Sequence, residues 1–178
     1  INAMNMIDGI NLLCASYLII IFIILASSGV SQIILILLII GIIGFLFLNY
    51  TDKCFLGDNG SIYLSYLAAY FIIKSYKYEY IFFADELFIL MMIPGIDMAR
   101  VSFVRLLHKK SPFNGDRNHI HHIFRDRYGK NKSIFLLLII FFLPFVLNTY
   151  LENSILIIIT SVIIYFITIY VLRKSNSN

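Results

Sequence analysis

Six runs of apolar residues constrain this chain more than any other feature. They cover residues 10–28, 32–50, 55–73, 81–96, 134–151 and 155–172, and four of the six contain no Asp, Glu, Lys or Arg at all. A helix needs about 20 residues to cross the hydrocarbon of a bilayer, and most of the runs are near that length. The third is short in purely apolar residues, but a helix starting near Asn59 can cross with Tyr63, Tyr66 and Tyr70 along it. The abundant Ile and Val would suggest strands in water. Runs near 20 residues without alternating polarity read instead as helices, which satisfy every backbone group internally in lipid. Only 13% of the chain is charged, against about 25% in a soluble domain. The expected fold is therefore all-α, a polytopic transmembrane helix bundle with about six spans.

Charge placement orients the bundle. The polar stretch 97–133 holds nine of the fourteen Lys and Arg residues and all four histidines. With Lys53, Arg173 and Lys174 on its side of the membrane, only Lys74 and Lys77 remain on the other. The basic side is then the cytoplasmic one. The same parity puts the polar start (Asn2, Asn5, Asp8), the turn at residues 57–61 and the histidine loop on that one face. A net charge of +4 could suggest nucleic acid, but basic residues that flank apolar spans follow the positive-inside rule, and no nucleic acid partner is expected. Cys14 and Cys54 form no C-x-x-C, so the sequence supports neither a zinc site nor a disulfide framework. The chain opens at Ile1 with a polar motif and no signal peptide, and reads as a piece of a longer protein.

Four polar clusters carry candidate chemistry. Asn2, Asn5 and Asp8 open the first span; one helix cap needs one such residue, and here there are three. Gly57-Asp58-Asn59-Gly60-Ser61 reads equally well as a turn or as a ligand site, with backbone free to approach phosphate and a carboxylate able to hold Mg²⁺. Pro94-Gly95 predicts a kink or break as the fourth span leaves the membrane, with Asp97, Arg100 and Arg105 following at helical spacing. Finally, His119-Ile120-His121-His122 packs three imidazoles beside Asp116 and Arg117. A metal cage is one reading, but phosphate binding suits the basic neighbours better. Asp85-Glu86 and the tyrosines near span ends read as structural.

Together these clusters resemble the polyprenyl-phosphate N-acetylhexosamine-1-phosphate transferases of glycosyltransferase family 4 type. The matching pieces are N-A-x-N-x-x-D-G at residues 2–9, F-L-G-D-x-G-S at 55–61, P-x-x-D at 94–97 and S-P-F-x-x-D-R-x-H-I-H-H at 111–122. The last is closer to the branch that uses UDP-N-acetylglucosamine or related amino sugars than to the peptidoglycan pentapeptide branch. Two departures stand out. Asn11 and Leu12 replace the second Asp and the Gly with which the family continues its first motif. The family's adjacent Asp-Asp pair would precede Ile1, so residues 1–178 are expected to be the C-terminal part of one transferase domain, inactive alone, with its cytoplasmic loop at about 97–133.

The resemblance implies an enzyme that moves N-acetylhexosamine-1-phosphate from a UDP-sugar to polyprenyl (undecaprenyl) phosphate and releases UMP. That step would initiate a cell-envelope glycan such as lipopolysaccharide, at the cytoplasmic face of a bacterial inner membrane. It also implies Mg²⁺ or Mn²⁺ held by Asp58, with Asp8, His119, His121 and His122 as catalytic groups. Asn2, Asn5, Asn11, Phe55, Arg105 and Arg117 would bind substrate, Phe55 by packing on uracil and the arginines on phosphate oxygens. Partners are the UDP-amino sugar, the lipid phosphate and the bilayer, and a homodimer is compatible. A transporter or flippase would carry its ionisable groups near the bilayer midplane, whereas here they gather at the rim. The D-G-x-x-A-R pattern of CDP-alcohol phosphotransferases is not present.

Overall fold

A computed structural model describes residues 1–29, 31–77, 83–109, 111 and 117–175, and every regular element among them is an α-helix. The chain divides into two compact units, Ile1–Phe83 and Ala84–Asn178. Each of the six apolar runs yields a helix.

In the first unit α1 (Asn2–Ile7) leads into α2 (Leu13–Ser27), α3 (Gln32–Tyr50) and α4 (Gly57–Lys77). Helix α2 is the core. Nine of its fifteen residues are buried, Leu13, Tyr17, Phe22 and Leu25 among them, and α1, α3 and α4 all pack on it. Helix α3 buries only Leu35, Ile42 and Asn49, one residue every seven, which on a helix is a single narrow stripe. Its other apolar side chains, including Ile33, Leu37, Ile40 and Phe47, face outward. In water such a surface would be a severe liability; in lipid it is the ordinary solvent-facing side.

Helix α4 mixes small residues with Leu64, Phe71 and Ile72 on its buried face. Ser61, Ser65, Ala68 and Ser75 point inward, while Tyr63, Tyr66, Tyr70 and Tyr76 point outward. Small residues on the packed face let helices approach closely where lipid supplies no hydrophobic push between them. The inward hydroxyls of Ser65 and Ser75 bond back to the carbonyls of Ser61 and Ile72.

The ends of this unit are fixed by polar side chains. At one end the amide of Asn49 accepts from the Leu12 N–H at 2.7 Å and donates to the Cys54 carbonyl at 2.6 Å. At the other, Lys74 Nζ donates to Ser31 Oγ at 2.8 Å. These bonds make α2, α3 and α4 an up-down-up bundle with Asn2–Leu12 and Cys54–Ser61 at a shared end. Leu12, at φ 77, is the left-handed turn that lets α1 fold back before α2 begins.

The second unit holds α5 (Ala84–Leu107), α6 (Ile120–Tyr128), α7 (Lys130–Leu151) and α8 (Ser154–Ser175). The Ser154 hydroxyl bonds Asp85 at one end, and Tyr165 meets Asp97 further along, so α5 and α8 run parallel with α7 antiparallel to both. Helix α5 runs through Pro94 without a break and carries Arg105 on its extension, and much of the polar stretch 97–133 is helical. Residues 97–107 extend α5, and α6 adds nine residues that bury Ile120, His121, Ile123 and Phe124. Gly129, at φ 75, separates α6 from α7 in a conformation that costs glycine least.

Among the described residues four helices, α3, α5, α7 and α8, are long and apolar enough to cross a membrane, and α2 is a shorter apolar helix. Helix α4, which carries Asp58, Asn59, Lys74, Lys77 and four tyrosines, is not in that group. The protein is an integral membrane protein of polytopic helical type. Removing the Asn49 amide with Asn49→Ala strips partners from both Leu12 and Cys54, and should destabilise the first unit by about 1–3 kcal/mol. Unfolding titrations in mixed detergent micelles will read this as an earlier transition, and an unchanged midpoint would show the clasp to be dispensable.

Candidate active site

In the first unit the two glycine-bearing motifs meet because α1 packs on α4. Ser61 Oγ donates to Asn5 Oδ1 at 2.6 Å. Beside it Asp8, half-buried just past the end of α1, accepts a bond from the Gly57 backbone amide. Gly57 sits at φ +64, a conformation that an L side chain would adopt only under strain. Asp58 follows in the first turn of α4, exposed to solvent.

The Asp8 carboxyl is pushed up to about 7, first by burial, then by the negative charge of Asp58, against the lowering pull of the Gly57 amide. Two carboxylates that feel each other this way form a site short of positive charge. Among the described residues no cluster of three or more His, Cys, Asp or Glu is arranged to hold a metal. A pair nonetheless fits Mg²⁺, which commonly binds through one or two carboxylates plus waters and substrate phosphates.

Other predicted residues of this unit lie nearby in different states. Asn11 is already engaged, its Nδ2 donating to Asp52 Oδ1 at 2.7 Å. Asn2 is exposed on α1, and Phe55 is 68% exposed, its ring free to receive a planar partner. Asn49, which holds the loop carrying Asn11 next to the loop carrying Phe55, is absent from the sequence-derived set. Its one sequence signal is an amide at the end of an otherwise apolar helix.

The second unit is built around Asp97, which is 1% exposed. Its Oδ1 accepts from Arg100 Nη2 at 2.6 Å, from the Tyr165 hydroxyl at 2.7 Å and from the Ile120 backbone amide at 3.1 Å. Its Oδ2 lies 2.8 Å from His119 Nδ1. Arg100 Nε in turn donates to the Tyr165 oxygen at 2.7 Å, closing a triangle, and its Nη2 reaches the Asn118 carbonyl. Helix α6 starts at Ile120 with no side-chain cap from His119; the carboxylate of Asp97, some two dozen residues earlier, satisfies that free amide instead. Asp97 appears in the P-x-x-D motif, but its role as the hub, with Tyr165 and Arg100, emerges only from the structure. Tyr165 lies within an apolar run and gives no local signal.

His119, His121 and His122 are brought together at the start of α6. The rings of His119 and His121 are parallel within 8° at 5.6 Å, and those of His121 and His122 lie 4.1 Å apart. Burial, then the neighbouring His122 and His119, lowers His121 to about 3. Its two ring nitrogens are buried without a hydrogen-bond partner among the described residues. His122 is also lowered, by burial and then by His119, Arg117 and Arg125. Burial thus favours the neutral forms of His121 and His122 among guanidinium groups, an environment that an entering anion would relieve. Arg117 is exposed beside them, and Arg105 is buried on α5. Residues 112–116, which carry the Pro112, Phe113 and Asp116 part of the motif, lie outside the described residues.

Comparison with known proteins follows this geometry. Residues 1–76 match the pattern of glycosyl transferase family 4. The undecaprenyl-phosphate alpha-N-acetylglucosaminyl 1-phosphate transferase of Thermotoga maritima is 31% identical over 185 aligned positions, covering 100% of this chain and 58% of that protein. The probable undecaprenyl-phosphate N-acetylglucosaminyl 1-phosphate transferase of Bacillus subtilis is 33% identical over 68% of this chain and 36% of its own length. The Escherichia coli K12 transferase of the first of these names is 30% identical over 78% of this chain and 41% of its own length. No solved structure matches. The chain therefore spans between about a third and three-fifths of the relatives it matches. Over residues 1–76 the chain thus matches glycosyl transferase family 4, the family to which its motifs pointed.

Two pH effects follow. The folded state holds the Asp8 proton up to about 7 while an unfolded Asp releases it near 3.8, so stability falls as pH rises through that window. Asp58→Asn removes one of the two raising causes, and the carboxyl band of Asp8 in infrared titration should move to lower pH without reaching 3.8. His121 has the opposite sign. An unfolded ring gains its proton below 6.5 and the folded ring only near 3, so stability declines as pH drops from 6.5. His121→Phe should flatten that acid limb by about one proton in unfolding titrations.

Proposed function

We propose that the protein to which this chain contributes transfers N-acetylglucosamine-1-phosphate, or a closely related N-acetylhexosamine-1-phosphate, from a UDP-sugar to undecaprenyl phosphate. A lipid phosphate oxygen attacks the phosphorus that bears the sugar, the bridging P–O bond breaks, and UMP leaves. The product is a polyprenyl-pyrophosphoryl sugar, made at the cytoplasmic face of a bacterial inner membrane to begin a cell-envelope glycan such as lipopolysaccharide.

The observation that carries this reading is the meeting of Asp8 with Asp58 beside the Gly57 amide. Asp58, with Asp8 next to it, would hold Mg²⁺ or Mn²⁺; such an ion neutralises diphosphate charge and stabilises the leaving oxygen. Asp8 has a basicity suited to proton transfer near neutral pH. The second ionisation of a phosphate monoester lies near 6, so the two groups are matched to within about one unit. Asp8 then orients the lipid phosphate and takes its remaining proton when the monoanion binds.

The basic and imidazole groups suit the same chemistry. Arg117 and Arg105 offer fork-shaped donors to phosphate oxygens, and His119, His121 and His122 offer ring nitrogens. His121 and His122, whose charged forms burial disfavours, repel the arginines less and can donate one N–H each to an oxygen that gains charge. Phe55 offers an exposed ring for stacking against uracil, and Asn2 and Asn5 offer amides for base or sugar edges. Asn11 stands where the resemblance expects an acid, which favours a neutral, hydrogen-bonding contact at that edge.

The complete protein in membranes, supplied with Mg²⁺, UDP-N-acetylglucosamine and undecaprenyl phosphate, should release UMP. Asp58→Asn should lower turnover on the order of 10²-fold, as for other electrostatic catalytic groups, and chelation by EDTA should stop the reaction until Mg²⁺ is restored. Near-normal turnover of the Asp58→Asn protein would overturn the assignment of Asp58.

A further inference from the structure

An ionised carboxylate can only accept hydrogen bonds, and its two oxygens offer about four acceptor sites. Asp97 uses four: Arg100, Tyr165 and the Ile120 amide on Oδ1, and His119 on Oδ2. With three donors on Oδ1, His119 on Oδ2 and a side chain only 1% exposed, Asp97 is closed to a substrate or a metal. The ion pair with Arg100 at 2.6 Å keeps it ionised. The proton between Asp97 and His119 must therefore sit on His119 Nδ1. That leaves Nε2 as the working nitrogen, an acceptor in the neutral ring and a donor in the imidazolium.

From this geometry we infer that Asp97 is the positioning residue for His119. It fixes the Nδ1–H tautomer and the ring plane, so that Nε2 alone meets the phosphate. The inference rests on the reading above, in which His119 acts on phosphate. Tyr165 and Arg100 extend the device. Both donate to the same oxygen, so the carboxylate cannot rotate to exchange Oδ1 for Oδ2 without breaking three bonds. The parallel ring of His121, 5.6 Å away, limits tilting of His119. The hub thus ties α5 and α8 to the first turn of α6, and delivers the ring as part of that rigid joint.

Replacing Asp97 by asparagine gives a sharp test. Arg100, Tyr165 and the Ile120 amide all donate to the Oδ1 side, so the carbonyl oxygen of the introduced amide must stay there and its NH₂ must face His119. His119 Nδ1 then has to accept, and the ring switches to the Nε2–H tautomer. A carboxylate-to-amide change of this kind beside the histidine of a serine-protease triad lowers turnover about 10⁴-fold with the geometry intact. In the full-length protein Asp97→Asn should lower kcat at least about 10²-fold, with KM for UDP-N-acetylglucosamine within about threefold. Histidine ¹⁵N spectra, with the His119 signals identified by their loss in His119→Gln, should show Nδ1–H in the native protein and Nε2–H in the variant.

Tyr165→Phe removes one donor but no tautomer constraint. It should keep Nδ1–H and lose less than about tenfold in kcat. Native turnover in Asp97→Asn, an Nε2–H ring in the unaltered protein, or a Tyr165→Phe loss as large as that of Asp97→Asn without a tautomer change would each overturn the inference. If Asp97→Asn fails to fold, the native spectrum and Tyr165→Phe still decide it. If the unaltered protein releases no UMP, the transferase reading fails, while the ring tautomer still reports on Asp97 by itself.

Discussion

A polar group in an apolar medium must find its partner inside the protein, and in this chain that requirement is concentrated on Asp97. Burying a lone carboxylate costs several kcal/mol even after relaxation, and removing one partner of a buried pair is more damaging than never having had the pair. Asp97 escapes the penalty only because α5 supplies Arg100, α8 supplies Tyr165, and the start of α6 supplies the Ile120 amide and His119. Three helices thereby become mutually dependent at one point. Packing of Ile93, Val101, Phe141 and Tyr165 fills the interior around it, but dispersion contacts alone would tolerate a slide along the helix axis. The bonds to Asp97 do not.

The first unit answers the same requirement with neutral groups. Its inward polar residues include Ser65 and Ser75, which bond to their own helix, Ser61, which reaches Asn5, and an asparagine that bridges two loops. Neutral amides and hydroxyls are far cheaper to bury than ions. The difference fits what each unit holds. The first must bring two turns to one end of a bundle, and Asn49 with Ser61 is enough for that. The second must fix the azimuth of a particular imidazole, which calls for a charged, directional acceptor.

Much of this is legible from residue order. A run of about twenty apolar residues has one backbone solution in lipid, so every long helix can be read off directly. The Asn2–Gly9 and Phe55–Ser61 motifs can be paired by chemistry before their contact is seen, since carboxylate and glycine types announce themselves. What cannot be read depends on partners distant in sequence. Nothing near Tyr165 distinguishes it from interfacial tyrosines such as Tyr170, because its role is set by Asp97, 68 residues away. The helicity of 120–128 is masked by its basic, histidine-rich composition. Only its burial against α7 and α8 supplies the stabilisation that local propensity lacks. Likewise Pro94 suggests a break, and the surrounding contacts carry α5 through it.

The two polar clusters share an electrostatic logic with opposite signs. Burial raises Asp8 and lowers His121 and His122, so in each unit it favours the uncharged form of these groups. In each case the second cause is a like group: Asp58 for Asp8, and the neighbouring imidazoles for the histidines. Such an arrangement is unfavourable in the absence of ligand and is relieved by a ligand of the complementary charge, a cation at the carboxylates or a phosphate at the imidazoles. On the proposed reading a divalent ion would favour the ionised carboxylates of the first unit, and a phosphate the charged imidazoles of the second. Each ligand would shift its own cluster toward charge, and preorganised charge contributes most to rate where charge develops in the transition state.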